Sequence, residues 1–80
     1  MTKEFKIEAM RKAAKEAKLA FSESKESEYD FSLIDDYYNF EFGVKIIDGD
    51  YWLHSIDGDV IEIVDSPEEI LKIIDDIVTS

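Results

Sequence analysis

Apolar positions along this chain follow two periods, and the change between them divides it. Between Lys3 and Phe21, Ile7, Met10, Ala13, Ala14, Ala17, Ala20 and Phe21 recur every three or four residues. That spacing gathers them on one stripe of an α-helix and predicts a helix over 3–21. Alanines in the middle of the stripe allow close approach to a sheet, with Ile7, Met10 and Phe21 gripping at the ends. Glu8 and Lys12 are placed for a favourable i,i+4 pair, and Phe5 and Leu19 fall off the stripe. Residues 22–28 contain no apolar side chain and read as a solvated loop.

From Tyr29 the period becomes two. Tyr29, Phe31 and Leu33 alternate with Asp30, Ser32 and Ile34, which predicts a short strand, and Asp35-Asp36 reads as a turn. Tyr38, Phe40, Phe42, Val44 and Ile46 then alternate with Asn39, Glu41, Gly43 and Lys45, a long strand with one apolar face. Ile47-Asp48-Gly49-Asp50 and Ile56-Asp57-Gly58-Asp59 carry the same hairpin signal, because glycine accepts the positive φ of tight turns. These predict strands at about 38–47, 51–56 and 60–64. Ser66-Pro67-Glu68-Glu69 combines an N-cap serine, a proline at the first helical position and a glutamate three residues on. It opens a helix near 67–78 whose apolar face is Ile70, Leu71, Ile74, Ile77 and Val78. The predicted order is α-β-β-β-β-α: an α+β fold in which an antiparallel three- to four-stranded meander is flanked by an N-terminal and a C-terminal helix.

Two-residue turns set a register. Tyr38, Phe40, Phe42, Val44, Ile46, Tyr51 and Leu53 fall on one face; Glu41, Gly43, Lys45, Trp52, His54, Ile61 and Ile63 fall on the other. Trp52 then opposes Ile63, His54 opposes Ile61, and a bulge would shift these pairs. One helix on each face would bury Trp52, and the large hydrophobic payload of tryptophan favours that arrangement. Both helices on the first face would instead leave an apolar patch at Trp52, Ile61 and Ile63, of the kind that marks partner sites.

The chain has 80 residues and lacks cysteine. That predicts one small domain, residues 1–80, with no disulfides and no thiolate metal site. No apolar run approaches the ~20 residues needed to span a bilayer. The charged opening, Met-Thr-Lys-Glu-Phe-Lys, does not read as a signal peptide, so the expected compartment is the cytoplasm. Charge is the unusual feature. Twenty acids against nine bases give −11, beyond the range of about 2–8 that suits a small domain for solubility. Residues 1–25 hold seven bases and four acids, a net +3; residues 26–80 hold two bases and sixteen acids, a net −14. The basic helix can lie against the acidic remainder and offset part of its self-repulsion.

Direct binding to nucleic acid is excluded by this balance, since such affinity rests on cations, and no membrane partner is indicated. No nucleophile sits in a motif. The single histidine, His54, reads as structural or solvated, and no catalytic residue, metal ligand or cofactor-binding residue is assigned. Asp48, Asp50, Asp57 and Asp59 do not follow a calcium-loop pattern, and their turns lie at opposite ends of the meander.

Acids therefore carry the functional expectation: a non-catalytic acidic binding or inhibitor protein. In this reading the carboxylates mimic nucleic acid and occupy the basic site of a nucleic-acid-binding protein. The partner would be a nuclease, a restriction or CRISPR effector, or a DNA-binding regulator, blocked in the anti-restriction or anti-CRISPR style of phages and mobile elements. The partner-binding residues expected are Asp35, Asp36, Asp57 and Asp59 at one end of the sheet, Asp75 and Asp76 on the last helix, and Trp52. The alternative is an immunity-type or accessory module binding through the apolar face around Trp52. Homo-oligomerisation is left open by the sequence.

Overall fold

The computed structural model describes residues 2–80. Helix α1 (Lys3–Glu16) is followed by strands β1 (Ala20–Ser22), β2 (Phe31–Asp35), β3 (Phe40–Ile47), β4 (Asp50–His54) and β5 (Val60–Val64), then helix α2 (Pro67–Thr79). The strands form one antiparallel meander in the order β1-β2-β3-β4-β5. The α+β architecture with a helix at each end is as the periodicity predicts; among the described residues the strands number five.

The extra strand comes from a helix that stops early. Thr2 caps α1, its Oγ1 accepting the Phe5 N–H at 3.2 Å. At the other end Lys18 adopts φ 62°, the left-handed conformation. Lys18 N–H then reaches the Lys15 carbonyl at 3.2 Å, and Leu19 N–H reaches the Ala14 carbonyl at 2.9 Å. This is the Schellman arrangement, which satisfies the last carbonyls of a helix, but with lysine where glycine is usual. The chain turns, and Ala20–Ser22 pairs with β2, setting Phe21 opposite Leu33. The helix expected over 3–21 is thus a helix plus an edge strand.

Both helices pack on the same face of the sheet. Met10 and Ala14 of α1 and Ile70, Ile74 and Val78 of α2 bury against Phe31, Leu33, Phe42, Val44, Ile46, Tyr51 and Leu53. The expected first face is therefore the core, apart from its first two members. Tyr38 belongs to the β2–β3 loop rather than to a strand, and Phe40 begins β3 while remaining 40% exposed. The arrangement with a helix on each face is not the one formed. Trp52 lies on the helix-free face, half-buried, in a row with Lys45 and Ile63.

Asp48-Gly49 is the expected two-residue turn, with φ 51° and 83° at its central residues and Ile47 opposite Asp50. The Asp57-Gly58 turn is longer. Gly58 N–H bonds to the Ser55 carbonyl at 3.0 Å and Ser55 N–H to the Asp59 carbonyl at 2.8 Å. Trp52 still opposes Ile63, but a bulge beyond Leu53 sets His54 opposite Val60 rather than Ile61. The inserted residue matters for the core, because Ile61 packs against it instead of joining the Trp52 face.

Lys3 of the basic helix pairs with Asp30 of the acidic remainder at 2.7 Å, whereas Arg11 pairs with Glu8 and Glu23, both within residues 1–25. Glu8 is thus engaged by Arg11 rather than by the expected Lys12. Lys6 Nζ donates to the Asp65 carbonyl at 3.1 Å and sits 5.2 Å from the Tyr51 ring centre. Among the described residues no helix is long and apolar enough to cross a membrane.

Candidate interaction surface

Asp35 closes β2, and its Oδ1 accepts the main-chain N–H groups of Tyr37 at 3.0 Å and Tyr38 at 3.1 Å. Aspartate folds the chain this way because its short carboxylate competes for nearby backbone donors. Asn39 completes the loop in the left-handed conformation, φ 61°, and the chain re-enters the sheet at Phe40. The loop projects Tyr37, 87% exposed, with Tyr38 packed edge-on against it at 4.7 Å between ring centres. The β4–β5 turn lies at the same end of the meander and projects Ile56, 73% exposed, beside Asp57 and Asp59.

The sequence-predicted aspartates separate into two kinds. Asp36, Asp57, Asp59, Asp75 and Asp76 are exposed. Asp35, expected among the partner-binding residues, is half-buried and its Oδ1 is committed to its own loop. The C-terminal half of α2 is brought to this end: Asp35 and Asp75 line one hollow with Leu19 and Val78. A second hollow, of about 510 Å³, lies between Phe40, Asn39, Ile56 and Ile77. Exposed acids and exposed aromatic or aliphatic side chains are therefore interleaved on one end of the molecule. The apolar half of this surface was missed because Tyr38 and Phe40 satisfy strand alternation. Asn39, a residue that tolerates positive φ, was the available sign that a loop intervenes.

Trp52 stands apart, on the helix-free face. Tyr29 from the preceding loop crosses the middle of this face instead of extending β2. Its ring covers Gly43, where an added Cβ would meet ring carbons at 2.5–2.7 Å. It also sits 5.1 Å from the His54 ring, and Lys45 Nζ lies 5.8 Å from its centre. Burial, with Glu28 alongside, pushes the Tyr29 hydroxyl pKa up. His54 is only 6% exposed, and its Nδ1–H donates to the Trp52 carbonyl at 2.7 Å. Beyond Tyr29 the face is open, with Ile47 38%, Val60 46% and Ile63 45% exposed.

Asp30 also does structural work. Its Oδ2 accepts the Ile46 N–H at 2.7 Å, supplying a partner where β2 has not yet begun. Asp48 and Asp50 lie at the far end, and Asp50 shares a hollow with Glu62, Asp65 and Glu69. Among the described residues no three His, Cys, Asp or Glu side chains group closely enough to hold a metal ion. Comparison with known protein families, with characterised proteins and with solved structures returns no match.

Proposed function

We propose that this protein is a non-catalytic binding protein whose acidic end occupies the cationic site of a nucleic-acid-handling protein, as a nucleic-acid mimic. The observation that carries the reading is the gathering of Asp36, Asp57, Asp59 and Asp75 around exposed Tyr37, Tyr38 and Ile56. Charge steers a basic partner into place, while desolvated aromatics supply most of the residence time at interfaces. The acids of α2 add support. Asp75 and Asp76 lie near its C-terminal end, where the last turn holds no base, and negative charge there is opposed by the helix dipole. Residues kept where they cost stability are candidates for use elsewhere.

A second reading rests on the open Trp52 face. With both helices on the opposite side, Ile47, Val60 and Ile63 flank Trp52 without cover, as an apolar interaction module would require. One experiment separates the two. Partners captured from lysate are identified, and the kinetics of the best binder are measured at 50 and 500 mM salt with DNA as competitor. Mimicry requires a basic partner displaced by DNA, steep weakening with salt, and slower association when Asp36, Asp57 and Asp59 are changed to lysine. Salt-independent binding that is lost in Trp52→Ala and retained in the triple variant would replace the first reading with the second.

A further inference from the structure

The edge of β5 is the strongest feature that the acidic end does not use. β5 closes the strand order, and among the described residues no strand pairs with its outer side. Ile47 and Asp50 flank a two-residue turn, so they exchange both main-chain bonds. Alternation from that pair turns Tyr51 and Leu53 toward β5, and Ser55 keeps the phase with its bond to Asp59. Their partners Val64 and Glu62 face inward, which leaves the N–H and C=O of Ile63 pointing out of the sheet. Backbone groups presented this way are a template for another strand.

The side chains around this edge specify the occupant. Ile63 and Val60 are exposed on the Trp52 side, whereas Glu62 is exposed on the helix side. A hollow lined by Asp50, Glu62, Ile63, Asp65 and Glu69 wraps the end of the strand. A second copy of the chain is a poor fit: full antiparallel overlap of two β5 strands sets Glu62 against Glu62, and like charges directly opposite are destabilising. Each copy would also bring a net charge of −11. An element that rejects itself by charge accepts a strand of opposite charge by the same physics.

We propose that the β5 edge binds an extended basic segment of a partner protein by strand addition. Its apolar residues lie beside Ile63 and Val60, and its alternate lysines or arginines lie beside Glu62 and Asp65. This surface meets the acidic end only where Val60 follows Asp59, and neither assignment depends on the other.

The probe is a capped synthetic peptide of alternating lysine and valine, with two controls: glutamate in place of lysine, and N-methylation of the amides that would pair with Ile63. Backbone NMR shifts and amide exchange are followed on the intact protein. The proposal expects saturable binding of the lysine peptide alone, with the Ile63 amide protected from exchange. Glu62→Lys, a surface change whose fold is checked by circular dichroism, should weaken binding about five- to tenfold. Lysine substitution of Asp36 and Asp57 should leave it within about twofold once salt has screened the general field. Three results overturn the proposal: no shifts in β5, equal binding of the N-methylated peptide, or shifts centred on the acidic end. Dimerisation of the free protein through β5, seen by sedimentation, would overturn it as well.

Discussion

Gly43→Ala tests the packing of the helix-free face. A Cβ built at position 43 stands 2.5, 2.6 and 2.7 Å from three carbons of the Tyr29 ring, roughly 1 Å inside van der Waals contact, which begins near ~3.5 Å. The ring must move, and in moving it gives up its contacts with His54 and Lys45. Overpacking of this kind costs about 1–3 kcal/mol. Against it stands the gain from replacing glycine inside a strand, about 0.5–1 kcal/mol. The expected net is a loss of about 1–2 kcal/mol. The assay is a four-member cycle of wild type, Gly43→Ala, Tyr29→Ala and the double variant, each unfolded in urea with the slope held in common. With Tyr29 truncated the clash is gone, so the same alanine should become neutral or stabilising. That change of sign is the signature of a direct contact. Equal effects of Gly43→Ala in both backgrounds would refute the placement of Tyr29 over Gly43.

Lys18→Gly should raise stability by about 0.5 kcal/mol, since a left-handed lysine is strained by about 1 kcal/mol and glycine's extra unfolded-chain entropy returns part of that; a lower urea midpoint would refute the Lys18 turn. The Tyr51 hydroxyl, donating to the Lys6 carbonyl at 2.6 Å, is pushed up to about 12 by burial and the nearby Glu68. Above pH 10 the unfolded tyrosine ionises while the folded one holds its proton, so stability should fall between pH 10 and 12 by an amount on the order of 2 kcal/mol. Tyr51→Phe should lack that portion of the alkaline loss in pH-dependent melts, and an unchanged profile would argue against a buried hydroxyl. Ser66→Ala removes the oxygen that accepts the Glu69 N–H at 3.4 Å and should lower stability by about 1 kcal/mol; an unaltered midpoint would show that α2 does not depend on this cap.

What the sequence determined by itself was whatever local chemistry decides. Ser66-Pro67 starts α2 because the cap and the fixed proline φ act within one turn. Asp48-Gly49 makes its hairpin because both central residues tolerate positive φ, and alternation from Phe42 to Leu53 then fixes which side chains meet the helices. The end of α1 was not legible, since lysine in the left-handed conformation carries no compositional sign and Leu19 is held there by contact with the core. The bulge after Leu53 was hidden for a similar reason: Asp57-Gly58 admits either loop, and burying Ile61 against the core accompanies the longer one.

Only tertiary structure decided how the two faces are covered. Period two reports that both faces carry apolar residues, but two amphipathic helices can lie on one face or on both. Here Met10 with Ala14 and Ile70 with Ile74 fill the same side, and the small Gly43 lets Tyr29 cover part of the other. The candidate site divides along the same line. Exposed acids at turn tips are readable because their placement follows from hairpin ends. Asp35 and Asp30 look the same in sequence, yet they are tied to backbone N–H groups that only the folded loops present. Tyr37, Tyr38 and Ile56 gather beside the acids because the meander returns its chain to the same end, a proximity between residues distant in sequence that no local pattern contains.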